Sequence, residues 1–327
     1  MRVSRRDMLE AMTMTLVSAF YPASFARAAV QPSDENLDGV RWVRLSNGYK
    51  VWTRRLGRGS TRVLILNGGP GLSHEYMQCF ADFLPAAGYE MYFYDQLGCG
   101  QSDKPRDKGL WTLQRYVSEV EEVRSSLGLD QVILVTHSWG AMLGIEYVLR
   151  YPENVRAFVL SDMSASYADF ARYVHVLRTR MPDKVQARMS ALERKGKTDA
   201  NEYQHLVMQY LYHVYICRSN PWPVSVQHCF AGVNEQIYST MQGPNEFVVT
   251  GNLKEWDRWA SLPRISTPTL VMGARYDEMD PASEQREAFA IPHAEFFMSE
   301  TGSHLAMWDD QQAYFGALMK FLDKHRV

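Results

Sequence analysis

Short apolar runs alternate with amphipathic helical patterns along most of this chain, and that alternation constrains the fold more than any other feature. From Val40, "VRWVRLSNGYKVWTRRLG" alternates on both sides of the turn dipeptide Asn47-Gly48, which predicts an antiparallel hairpin. "RVLILNGGPG" reads as a strand entering a glycine-rich turn, and "YEMYFYDQLGCG" as a second strand and turn. "LQRYVSEVEEVRSSLG" has the period of an amphipathic helix closed by Gly128. "QVILVTHSWG" is a strand, "AMLGIEYVLRYP" a helix stopped before Pro152, and "VRAFVLSDM" a strand again. Repetition of this kind builds βαβ units, so the expected class is α/β, with a mostly parallel central sheet covered by helices on both faces.

The alternation stops near Met163. Helical patterns dense in Tyr, His and Met follow, with the proline-punctuated "RSNPWPVSV" among them. Strands return at "TPTLVMGARYD" and "AEFFMSETGSH", and "QQAYFGALMKFLDKH" makes a last helix. The division expected is a core in two parts, 29–163 and 258–327, with an inserted helical cap at 164–257. Such an insert sits over the C-terminal edge of the sheet, where open parallel sheets bind their ligands.

The 327 residues are 46% hydrophobic and 22% charged, which provides a sizeable core, and a formal charge of −2 gives no attraction for nucleic acid or an acidic membrane. No apolar run approaches the roughly 18 residues of a membrane span, so no membrane insertion of the mature form is expected. Residues 1–28 stand apart. A basic start with Arg5 and Arg6, a weakly apolar stretch from Met8 to Phe20, and the small-residue end Ala26-Arg27-Ala28 read as a cleaved signal peptide. "SRRDML" resembles a twin-arginine export signal, which implies a periplasmic or secreted protein; an amphipathic N-terminal helix is the other reading. Cys79, Cys99, Cys217 and Cys229 have no metal-ligand spacing. An exporting compartment permits a Cys217–Cys229 bridge, while four free thiols remain the alternative.

Chemistry is concentrated at "VTHSWG". A strand running into a serine and then a helix has the outline of the nucleophile elbow, G-x-S-x-G, although Thr136 stands where the first glycine belongs. A serine hydroxyl is a poor nucleophile until a base takes its proton, and a carboxylate must orient that base. In this architecture the chain order is serine, acid, histidine. Asp277 follows the strand "TLVMG" and His304 follows "AEFFMSE", so Ser138, Asp277 and His304 are the candidate triad. Glu278 and Asp280 are rivals for the acid, and His137 for the base, although a sharp turn at Ser138 directs its neighbour away from the apex. The charge developing on a substrate oxygen needs preorganised amides. "NGGPG" after "RVLIL" lies where an oxyanion turn belongs, so the amides of Gly69 and Trp139 are the candidates.

Together "NGGPG", "DQLGCGQSD", "HSWG", "GPNEFVVTGNLKEWD", "GARYDEMDP" and "GSHLAMWDD" resemble the proline iminopeptidase family of α/β hydrolases, especially its tricorn-interacting aminopeptidase branch. The resemblance runs from about Trp42 to Phe321 and includes "CRSNPWP" in the helical insert. It implies a serine aminopeptidase that needs no metal or other cofactor. Its substrate would be a short peptide losing an N-terminal residue, often proline, or a related amino-acid amide; an amidase or esterase using the same triad is the alternative. Two positions depart from the family: Asn67 replaces a histidine and Thr136 a glycine. Both shape the pocket rather than supply triad chemistry. An aminopeptidase must recognise a free α-amino group, and the resemblance assigns this to glutamates: Glu246 in "GPNEF", Glu278 after the triad acid, and Glu235 in "NEQIY". Tyr210, Tyr212, Tyr215, Trp222 and Tyr238 would supply an apolar wall or the core of the cap.

Overall fold

A computed structural model describes residues 39–327. The export signal expected at 1–28 lies outside the described residues. Eight strands form one sheet: β1 (Val40–Arg44), β2 (Lys50–Leu56), β3 (Arg62–Leu66), β4 (Glu90–Tyr94), β5 (Val132–His137), β6 (Val155–Ser161), β7 (Thr269–Tyr276) and β8 (Ala294–Ser303). Their order across the sheet is β1-β2-β4-β3-β5-β6-β7-β8, with β1 and β2 antiparallel to their neighbours and the rest parallel. The Asn47-Gly48 turn joins β1 to β2 as the sequence predicts, with Gly48 at φ 90°.

Strand β5 is buried along its whole length, and its alternate side chains enter two different cores. Val132 and Leu134 face α1 (Leu113–Ser126) and α2 (Trp139–Arg150), packing in one cluster with Val120 and Leu143. Ile133 and Val135 face the other side, in a cluster with Phe80, Leu318 and Phe321. A continuous apolar run is therefore what a strand covered on both faces requires. Each fully buried Leu or Phe contributes about 2 kcal/mol.

Between β6 and β7 the chain is helical: α3 (Tyr167–Thr179), α4 (Asp183–Arg194), α5 (Asn201–Val207), α6 (Val224–Ala231) and α7 (Glu235–Met241). Helix α5 runs on through a π-helical segment, Met208–Ile216, whose wider turn changes the aim of its side chains. After β7 come α8 (Pro281–Ala290), α9 (Ala306–Asp309) and α10 (Gln311–Lys324). The strand order reverses where β3 pairs with β5, because β4 lies on the opposite side of β3. Crevices at such reversals, beyond the carboxyl ends of the strands, are where sheets of this kind hold ligands. The glycine turn leaves β3 and Ser138 leaves β5 at that point.

All four cysteines are buried free thiols, so Cys217 and Cys229 are not bridged. Among the described residues no helix is long and apolar enough to cross a membrane.

Candidate active site

Ser138 occupies the apex between β5 and α2, at φ 55° and ψ −128°. This backbone conformation disfavours a side chain by about 1–2 kcal/mol and persists only where neighbours fix it. They do so here: Ser138 N–H donates to the Ser161 carbonyl at 2.9 Å, and the Ser138 carbonyl accepts from Ala141 N–H at 2.7 Å. Gly140 is required by the close approach of α2 to β3, since a Cβ there would lie 2.2 Å from the Leu66 carbonyl oxygen.

Thr136, the departure from the elbow pattern, fits without displacing Ser138. Its hydroxyl donates to the Val159 carbonyl of the neighbouring strand at 2.6 Å. Its methyl lies against Gly144, where an added Cβ would come within 2.9 Å of it. The space a glycine would give at 136 is supplied by Gly144, in the second turn of α2.

The turn after β3 passes directly against the nucleophile position, for a Cβ on Gly68 would stand 2.9 Å from Ser138 Cβ. Asn67 pins this turn by donating from Nδ2 to the carbonyls of Gly68 (3.1 Å) and Leu72 (2.9 Å). Gly68 N–H is already committed to the Tyr76 hydroxyl at 2.5 Å. Gly69 and Trp139 line the same cavity as Ser138. Trp139 is the first residue of α2, where backbone N–H groups have no partner within the helix. Gln96 braces both sides, donating to the Asn67 carbonyl at 3.1 Å and accepting from the Trp139 indole at 2.8 Å.

His304 closes the cavity from the end of β8. Its Nδ1 donates to Asp277 Oδ1 at 2.7 Å, and the same oxygen accepts from Met279 N–H at 3.0 Å. Burial works against the imidazolium, but the Asp277 carboxylate, with Glu278 adding to it, outweighs this and pushes His304 up to about 10. His137 turns away from the apex, as expected, and has its own task. Its Nε2 donates to the His304 carbonyl at 2.7 Å, and the Tyr76 hydroxyl donates to its Nδ1 at 2.8 Å. Burial, reinforced by the nearby His304, holds His137 well below the usual histidine range, so it is neutral.

Two of the three expected glutamates reach the cavity. Glu246 is buried and accepts hydrogen bonds from the hydroxyls of Tyr212 (2.8 Å) and Tyr238 (2.5 Å). Glu278 is buried on the same wall, with Oε1 3.8 Å from His304 Nε2. Glu235 is not brought to them: it is exposed in the first turn of α7, outside the cavity lining, where an acidic side chain suits the helix dipole. Of the five aromatics, Tyr212 and Tyr238 line the cavity, and their polar ends hold Glu246 rather than forming a purely apolar wall. Trp222 packs behind Tyr212 with ring centroids 6.4 Å apart. Asp162 went unnoticed in the sequence, although it too follows a strand at the sheet's C-terminal edge. It is buried at φ 54° with Oδ2 3.6 Å from His137 Nε2.

A parallel sheet with a strained serine between strand and helix, and a histidine–aspartate pair on later strand ends, defines an α/β hydrolase, and residues 61–311 match the family described as alpha/beta hydrolase fold. Proline iminopeptidases from Flavobacterium johnsoniae and Chitinophaga pinensis are 38% and 39% identical to the chain over 279 and 280 residues, each alignment covering 84% of this chain and 94% of the relative. The crystal structure of a proline iminopeptidase from Mycobacterium smegmatis superposes with a TM-score of 0.81 at 27% identity, covering 88% of this chain and 98% of that one. The crystal structure of VinJ superposes at 0.83 with 30% identity, covering 88% and 99%. The chain belongs to the proline iminopeptidase family.

Proposed function

We propose that this protein is a serine aminopeptidase that releases an N-terminal residue, proline or another small apolar one, from short peptides. Ser138 Oγ attacks the carbonyl carbon of the first residue while His304 Nε2 takes its proton. Asp277 holds the imidazole through Nδ1 and stabilises its charge. The amides of Gly69 and Trp139 receive the oxyanion, His304 returns the proton to the departing amine, and water then releases the acyl group by the same route. Glu246 and Glu278 hold the substrate's ammonium group, which limits reaction to the chain terminus.

The observation that carries this reading is the burial of two carboxylates on the wall of the cavity that holds Ser138 and His304. Buried carboxylates on a cavity wall favour a cationic guest over a neutral or anionic one, and a substrate ammonium is such a guest. The test is a panel of aminoacyl-naphthylamides, amino-acid amides and N-acetylated counterparts with purified protein. Turnover confined to free amines, and best with proline, supports the proposal. Equal turnover of N-acetylated esters defeats it in favour of a general esterase, and preference for simple amides makes the protein an amino-acid amidase.

We propose as well that residues 1–28 direct export by the twin-arginine route, on the strength of the Arg5-Arg6 pair and the A-x-A end. Replacing both arginines by lysine should retain the protein in the cytoplasm; undiminished export would refute this.

A further inference from the structure

Behind the histidine–aspartate pair lies a second group of acids that the reaction above does not use. Asp162 at the end of β6, Asp277 at the end of β7 and Glu284 in α8 each present a carboxyl oxygen, and these oxygens lie within 4.8 Å of one another. All three residues are fully enclosed. Gly273 makes room for the third, since a Cβ there would stand 2.0 Å from Glu284 Oε2. Among the described residues no lysine or arginine pairs with any of them. The titratable groups that face Asp162 from the packed elements are Tyr76, His137, Asp277, Glu284, His304 and Tyr314. Of these only His304 supplies a positive charge, and Asp277 already engages it.

Three carboxylates this close cannot all be ionised in a dry interior; protons must be shared among them, as in paired-aspartate sites. The hydrogen bonds indicate where the single charge stays. Asp277 Oδ1 accepts from His304 and from Met279 N–H, whereas Oδ2 is buried and, among the described residues, no N–H or hydroxyl reaches it. Both oxygens of Glu284 likewise lack any such donor. Asp162 Oδ2 accepts from the Ser161 hydroxyl. We propose that Asp162 is a neutral carboxylic acid whose O–H donates to Asp277 Oδ2, making it a positioning residue that fixes the triad acid from the side opposite His304, with Glu284 also neutral. Burial, and then the neighbouring Asp277 charge, both hold Asp162 and Glu284 well above the usual carboxyl range. The left-handed backbone at Asp162, which aspartate tolerates better than most residues, is held by its N–H donating to the Met272 carbonyl at 2.9 Å.

This inference rests on the Ser138–His304–Asp277 reading, and its test separates the two. Labelling of Ser138 by a fluorophosphonate reports on the serine reading alone. Infrared difference spectra of wild type against Asp162→Asn at neutral pH report on Asp162 whatever the enzyme's substrate. Loss of a protonated-carboxyl band is expected, and loss of a carboxylate band overturns the proposal, as ionisation around a bound cation would also do. In kinetics, Asp162→Asn keeps a neutral N–H donor and should leave the acid limb of the kcat/KM profile in place, with kcat/KM within about threefold. Asp162→Ala removes the donor, so the less stabilised Asp277 charge holds the His304 proton more tightly. The limb should then move to higher pH and kcat fall about tenfold. A limb that moves to lower pH in Asp162→Asn would mean that a negative charge had been removed. Should Asp162→Ala not fold, Glu284→Gln takes its place, with an unmoved limb expected and a shift to lower pH counting against the scheme.

Discussion

The strand ends and the helical layer above them build one cavity by opposite means. On the strand ends the backbone sets the frame: Ser138 is fixed by hydrogen bonds of the elbow, and the His304 carbonyl accepts from His137 while Asp277 orients the His304 ring. In the helical layer the side chains do it, because Glu246 is placed by the hydroxyls of Tyr212 and Tyr238. Tyr212 reaches it from a π-helical segment, an irregular element with no regular periodicity to announce it. A sheet edge offers fixed geometry for any acyl transfer, whereas a layer held by side chains can be re-cut for a different amine without disturbing that geometry.

The comparison breaks most visibly if the two regions are altered one at a time. Ser138→Ala should remove nearly all turnover, roughly ten-thousand-fold or more in kcat, with an unchanged melting temperature. Retained activity in a folded variant would show that the strand ends do not carry the chemistry. Glu246→Gln should act on binding instead. Replacing a charge-assisted bond to the substrate ammonium by a neutral one raises KM about 10- to 100-fold for free-amine substrates, with kcat little changed. An equal rise for an N-acetylated ester would assign Glu246 to the architecture of the layer rather than to amine recognition.

How much the sequence disclosed follows the same division. Strands β3, β5, β6 and β7 are legible because both of their faces are buried, which writes an apolar run into the chain. Ser138 and Asp277 follow from such runs, each being a chemically capable residue just past one of them, whereas His304 stands past β8, a partly exposed edge strand, and is picked out by the chain order serine, acid, histidine. Asp162 meets the same criterion but does not stand out, because nothing in "LSDM" separates a buried acid from a surface one. Glu235 marks the limit in the other direction: a motif resemblance selects it, and it lies exposed at the start of α7, outside the cavity lining. Thr136 is legible as an anomaly but not in its solution, which depends on the packing of Gly144 in the following helix and on the Val159 carbonyl of the neighbouring strand, contacts that only the fold makes.

The smallest effect falls where the two regions meet, and it is a shift in pH rather than a loss of rate. Glu278 is one of the two carboxylates proposed to hold the amine, yet its Oε1 lies 3.8 Å from His304 Nε2, the atom that would have to be free of its proton to act as base. Asp277 and then Glu278 raise His304 toward about 10, so the free enzyme should gain activity as pH rises toward the alkaline range. A bound substrate ammonium offsets the Glu278 charge and repels the imidazolium, so the limb in kcat should lie at lower pH than the limb in kcat/KM. Glu278→Gln removes one negative charge beside His304, which lowers its affinity for the proton and moves the kcat/KM limb to lower pH. The kcat limb, already relieved by the substrate, should move less, and the two should draw together. If both limbs stay where they are in wild type, the charge of Glu278 is not felt at His304, and amine binding and proton transfer are independent functions of neighbouring walls.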